Sequence, residues 1–139
     1  RALTLAGMPF IAIDYNFHAV QKSKKEGINI IYGDPTDLDI LDYAELDKAV
    51  ILVLAVPDRS SQEAIILNAK KLNPKIIILT RVHREIDQAR MKDLGVEVVV
   101  QPEFEASLSI IRRVLLWKGL SREEIANKIK RLKIEHGAL

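Results

Sequence analysis

The chain has no cysteine, few aromatic residues and almost no excess of charge of either sign. Without cysteine there is no disulfide, no thiolate-bound zinc and no thiol nucleophile. Lys and Arg number 21 against 19 Asp and Glu, a net charge of +2. That surplus is too small for whole-chain attraction to nucleic acid. Long apolar runs are also missing. The longest, Ala49 to Pro57, is nine residues, against about 20 for a membrane-spanning helix. Pro9 and Asp14 interrupt the first apolar segment, which does not read as a secretory leader.

What is present is a regular alternation within 139 residues. Short apolar runs are each followed by a stretch at helical spacing. Phe10–Ile13, Ile28–Tyr32, Ala49–Val56, Lys75–Thr80 and Val96–Val100 are predicted strands. Helices are predicted over residues 16–26, 36–43, 60–72, 83–94, 103–117 and 121–133, after a helix end at 2–6. Ser60-Ser61-Gln62-Glu63 and Ser121-Arg122-Glu123-Glu124 have the capping-box pattern, which opens helices there. Apolar runs without polar alternation suit strands buried on both faces, the habit of parallel sheets. The expected fold is α/β, a Rossmann-like doubly wound parallel sheet. Residues 1–117 form its body. Residues 118–139, set off by Lys118-Gly119, form an amphipathic helical tail with six basic and three acidic residues.

In such sheets ligands bind beyond the carboxyl ends of the strands. Those ends carry Asp14, Gly33-Asp34-Pro35-Thr36, Val56-Pro57-Asp58, Arg81 and Pro102-Glu103. A carboxylate after the second strand accepts from both ribose hydroxyls of an adenosine and repels a 2′-phosphate. Asp14 stands there and favours NAD, ADP or AMP over NADP; the other reading is that Asp14 or Asn16 caps the next helix. Asp34, with Thr36, is placed to meet an adenine amino group, or else Thr36 and Asp37 cap a helix. Arg81 suits a phosphate or carboxylate through a bidentate fork, or else pairs with Glu85. Asp14, Asp34 and Arg81 are expected to line one crevice. No glycine-rich phosphate loop is present. Counting back about 20 residues from Asp14 puts that loop, and the central first strand, before residue 1. The expected sheet therefore lacks both within this chain.

The order Ile13-Asp14, Ile31-Tyr32-Gly33-Asp34-Pro35-Thr36, Leu41 with Ala44 and Ala49, then Val56-Pro57-Asp58, resembles the TrkA-N domain. That domain is also known as the regulator-of-potassium-conductance (RCK) or KTN module. Ala69-Lys70-Lys71-Leu72-Asn73-Pro74, Ile78-Leu79-Thr80-Arg81, Leu94-Gly95-Val96 and Gln101-Pro102-Glu103-Phe104-Glu105-Ala106 continue the likeness. With Ile111-Arg112-Arg113-Val114-Leu115, the chain is most similar to the cytoplasmic domain of Kef-type potassium or sodium/proton antiporters. The resemblance covers about residues 1–117.

It implies a regulatory domain that binds NAD(H), AMP, ADP or ATP and forms a homodimer or higher homo-oligomer. Such a domain controls a membrane-embedded cation transporter or channel. It is implied to be cytoplasmic, a soluble part of or subunit on an inner-membrane transport protein, with no nucleic-acid partner. The implied cofactor-binding residues are Asp14 and Asn16 for the ribose side, Gly33, Asp34, Pro35 and Thr36 around adenine, Val56 near the adenosine, and Arg81 facing the crevice. Pro35 departs from the small residue usual there and removes one backbone N–H.

Two other classes compete. One is an enzyme, a dehydrogenase or Rossmann-like methyltransferase. Against it, there is no Tyr-x-x-x-Lys, nucleophile elbow or His-Glu-x-x-His, and His18, His83 and His136 lie far apart. No catalytic or metal-binding residues are assigned. The other is a dimerisation module with a vestigial site. Phe104, Leu108, Ile111 and Leu115 form one helical stripe, expected to cover the sheet. Ile110, Val114 and Trp117 form a second, expected at a dimer interface together with Ile125, Ile129 and Leu132 of the tail. The alternatives for the tail are that it folds back on its own domain, or that its basic face meets an anionic membrane surface or an acidic partner patch.

Overall fold

Four polar side chains start four helices, and with the apolar runs between them they set the element order. The computed structural model describes residues 1–137, and they divide into two units. The first holds residues 1–52 and 58–76; the second holds 53–57 and 77 onward. Positions 138–139 of the expected tail lie outside the described residues.

In the first unit, α1 (Ala2–Leu5) ends at Gly7, whose φ of +66° a glycine adopts without strain. Strand β1 (Ala12–Asp14) leads into α2 (Phe17–Lys25), and β2 (Ile30–Tyr32) leads into α3 (Leu38–Tyr43). A 3-10 turn (Leu46–Lys48) precedes β3 (Ile51–Leu54), whose last two residues are counted with the second unit, and α4 (Arg59–Leu72) belongs again to the first. β1 and β2 pair in parallel, Ala12 with Ile30 through Asp14 with Tyr32. Lys22, Lys24 and Lys25 fill the last turn of α2, where cations suit the exposed carbonyls. Val20, Leu41, Leu46, Ile65, Ile66, Ala69 and Ile76 form the buried apolar set. The Asn73 side chain donates to the carbonyls of Ala49 (2.8 Å) and Leu46 (3.1 Å), tying the end of α4 to the segment before β3.

The start of α4 differs from the expected capping box at Ser60. The cap is Asp58, which accepts from the Ser61 N–H at 2.8 Å, and Glu63 pairs instead with Arg59 at 2.9 Å. A carboxylate at the helix start also answers the positive end of the dipole, which a serine hydroxyl does less well.

In the second unit, β4 (Ile77–Arg81), α5 (Glu85–Asp93) and β5 (Val98–Val100) are followed by α6 (Pro102–Trp117) and α7 (Arg122–Glu135). The strand order is β3-β4-β5, with β4 and β5 parallel. The Glu97 carboxylate accepts from the Ile78 N–H at 2.6 Å, and the Glu97 N–H donates back to the Ile78 carbonyl at 3.1 Å. That reciprocal pair sets the β4–β5 register. Ser121 and Glu124 form the expected capping box of α7.

The first stripe of α6 does not go where the sequence pattern suggested. Leu108 packs with Ile125 and Ile129, and Phe104, Leu115, Leu120 and Leu132 close around them. The tail thus folds back on α6 and takes the face expected to cover the sheet. Its far end is held by polar contacts. The Lys133 ammonium meets Glu105 at 2.6 Å, the His136 ring stacks on Phe104, and Gln88 and Lys92 donate to the Gly137 carbonyl. The second stripe of α6 stays open, with Ile110, Val114 and Trp117 exposed by 64, 47 and 87%.

Candidate functional site

A parallel register brings the carboxyl ends of β1 and β2 to the same edge of their sheet. Asp14 ends β1 beside Tyr32, and the Gly33 N–H donates to the Asp14 carbonyl at 3.1 Å. The Asp14 and Asp34 loops therefore leave the sheet together. Gly33 is needed for packing: a Cβ there would lie 2.7 Å from Ile40 Cδ1 and 3.1 Å from Cγ1 and Cγ2. Its lack of a side chain lets α3 close against the strand end.

Asp14 is half-buried, and its Oδ1 accepts the Asn16 N–H at 2.8 Å. Asn16 itself is the cap of α2, accepting from the Ala19 N–H at 3.0 Å. The capping role therefore falls to Asn16, and the Asn16 amide oxygen is committed to it. One Asp14 oxygen orients the turn, and the other takes no hydrogen bond among the described residues.

Asp34 repeats the device. Its Oδ1 accepts both the N–H (2.9 Å) and the hydroxyl (2.8 Å) of Thr36. The Thr36 backbone bond, then its hydroxyl bond, hold the Asp34 carboxyl below its usual range. The cap of α3 is Asp37, so Thr36 is left to brace Asp34. Pro35 sits between them, with no N–H that this turn would need. The Thr36 carbonyl accepts from Asn68 of α4 at 2.9 Å. Asn68 was not singled out in the sequence, although an asparagine inside a helix is a signal of its own, because it weakens the helix unless its amide is used elsewhere.

Val56 and Arg81 belong to the second unit. Val56 is half-buried after β3, and Arg81 closes β4 in register with Val100. Near Arg81, His83 Nδ1 lies 2.7 Å from Glu103 Oε1. That hydrogen bond, with the weaker pull of the Arg81 charge, holds the Glu103 carboxyl below its usual range. Gln101 links the neighbourhood to the tail, its Oε1 lying 2.5 Å from His136 Nε2. Glu103 was named only among the strand-end residues and His136 only as one of three scattered histidines; Gln101 meets His136 through the folded-back tail, which no local pattern announces. Among the described residues no group of three or more His, Asp or Glu could hold a metal, and no helix is long and apolar enough to cross a membrane.

Residues 1–102 match the model of the TrkA-N domain. A glutathione-regulated potassium-efflux system protein of Haemophilus influenzae is 28% identical over 133 residues, 96% of this chain and 22% of that protein. The chain thus spans about a fifth of the length of the curated relatives it matches. The crystal structure of the TrkA-N domain of the Escherichia coli inner membrane protein ybaL superposes with a TM-score of 0.74 at 24% identity, covering 79% of this chain and 82% of that one. The Shewanella denitrificans Kef C-terminal domain in its AMP-bound form gives 0.70 at 19% identity, over 90% and 91%. These likenesses establish the Rossmann-like fold.

Proposed function

Because the chain belongs to the TrkA-N family, we propose that it is a regulatory domain that binds an adenine nucleotide or NAD(H) and passes that signal to a membrane cation transporter. The observation that carries this reading is the pair of braced carboxylates at one end of β1 and β2. Each has one oxygen fixed by its own turn and one oxygen to offer. Asp14 takes the ribose hydroxyls, and Asp34 takes the adenine amino group. Both roles need an acceptor held in place before the ligand arrives. Arg81 answers a phosphate or another anion, as its fork geometry suits. The AMP-bound Kef domain among the structural neighbours supports the ligand class, and the potassium-efflux relative supports the transporter. In this reading the domain is cytoplasmic and regulatory, and it turns over no substrate.

Calorimetric titration of AMP, ADP, ATP, NADH and NADPH tests the reading. Binding of AMP or NADH is expected, with NADPH weaker because Asp14 repels the 2′-phosphate. Asp14→Ala removes hydrogen bonds to a charged group, worth about 1.5–3 kcal/mol, or roughly 10–150-fold in affinity. Unchanged affinity in Asp14→Ala would leave the residue as a turn former only. Turnover of a metabolite in the presence of nucleotide would favour the dehydrogenase or methyltransferase alternative.

The open stripe of α6 supports a homodimer. Ile110, Val114 and Trp117 are exposed in one row, and rows of this kind mark association surfaces. Sedimentation of the chain and of Val114→Lys tests it. A dimer lost in the variant is expected; a monomer in both, well above micromolar concentration, rejects it.

A further inference from the structure

Among the described residues, the two-stranded sheet of the first unit has no strand paired along the far edge of β2. Its register with β1 decides which groups face outward. The Ala12 N–H donates to the Asn29 carbonyl, and the Gly33 N–H donates to the Asp14 carbonyl. Main-chain groups alternate sides along a strand, so Asn29, Ile31 and Gly33 turn toward β1. Ile30 and Tyr32 therefore turn their N–H and C=O groups away from it, offering two donors and two acceptors.

An open cleft of about 540 Å³ runs along this edge, lined by Lys24, residues 28–32 and Tyr43. Among the described residues that line it, Lys24 alone is charged. Tyr32 and Tyr43 are exposed by 55 and 74%, and Phe17 braces Tyr32 edge-to-face at 5.8 Å. A peptide ladder, an aromatic platform and one cation thus lie side by side.

We propose that this cleft docks an extended, acidic segment of a partner protein, which adds to β2 as a further strand. The free main-chain groups require a strand, because only an extended chain presents donors and acceptors at matching spacing. The aromatic rings take its apolar side chains. The lysine selects an acidic segment. A second copy of this chain satisfies the same four groups if Ile30 pairs antiparallel with Tyr32, but it brings its own Lys24-lined cleft and so adds like charge. Lysine beside an open edge discourages self-pairing for this reason.

The test is an NMR titration of the full chain with the blocked peptide acetyl-Val-Glu-Val-Glu-Val-amide and its Val-Lys counterpart. Expected shifts are confined to residues 28–32, Lys24 and Tyr43, with the acidic peptide about 2–5-fold tighter, as a single exposed ion pair allows. N-methylation of one alternate set of peptide amides abolishes binding, and methylation of the other set does not. Lys24→Glu, a surface change that leaves the strand intact, reverses the peptide preference. No shifts at millimolar peptide overturns the proposal, as does equal tolerance of both methylated peptides, or an acid preference unchanged in Lys24→Glu. Shifts of the same residues on dilution of the chain alone would assign the edge to a second copy and also overturn it.

Discussion

Gly33→Ala isolates the contact that brings α3 against the end of β2. The new Cβ would stand 2.7 Å from Ile40 Cδ1 and 3.1 Å from Cγ1 and Cγ2. The Cδ1 methyl can swing aside, but the two γ carbons sit on a branched Cβ that allows few rotamers. Overpacking of this kind costs about 1–3 kcal/mol. A smaller effect opposes it. Gly33 does not occupy the left-handed region, so alanine fits its backbone and reduces the freedom of the unfolded chain, a gain of about 0.4–1 kcal/mol. The net loss is about 0.5–2 kcal/mol, read as a lower urea midpoint at unchanged slope. Ile40→Ala removes all three clashing atoms. In that background Gly33→Ala is expected to be neutral or mildly stabilising, a coupling of about 1–3 kcal/mol in the double-mutant cycle. A coupling below about 0.3 kcal/mol would refute the packing role of Gly33. Because the Gly33 N–H also holds the Asp14 carbonyl, the single variant should weaken nucleotide binding as well, and the double variant should restore part of it.

Asp58 gives a pH prediction. Ser61, through its side chain and then its N–H, and Ser60 lower its carboxyl from 3.8 to about 2. A folded-state pKa below the unfolded one means that its contribution is complete above 3.8 and is lost as pH falls through about 2. Amide protection at Ser61 and the first turn of α4 should decline over that window, and Asp58→Ala should abolish the decline. Leu108→Ala opens a void under α7 at a residue only 2% exposed, at a cost of about 2–5 kcal/mol. Hydrogen exchange should then show the amides of residues 122–135 losing protection before those of β4 and β5; uniform loss would mean that α7 is not a separately opening element.

The strand and helix order could be read directly because apolar periodicity is a local property. Each strand was found within about two residues of its expected run, and Asn16, Asp37 and Ser121 carry cap chemistry in their own side chains. Even here neighbours compete. Both Asp58 and Ser60 can cap, and the winner depends on how the chain leaves β3. Asp14 and Asp34 were legible as strand-end acids, but that their loops leave the same end of one sheet depends on the parallel register of β1 with β2, which no single segment encodes. Asn68 beneath Thr36, and Ile40 against Gly33, join residues 32 and 7 positions apart, and only the folded backbone brings them together. The tail shows the division most clearly. Ile125, Ile129 and Leu132 announced an apolar face that had to be covered. Apolar burial has no direction, so the same stripe would serve on a sheet, on a second copy or on α6. The choice of α6 came from shape and from the polar contacts at the far end of α7: Lys133 with Glu105, His136 on Phe104, and Gln88 and Lys92 at Gly137.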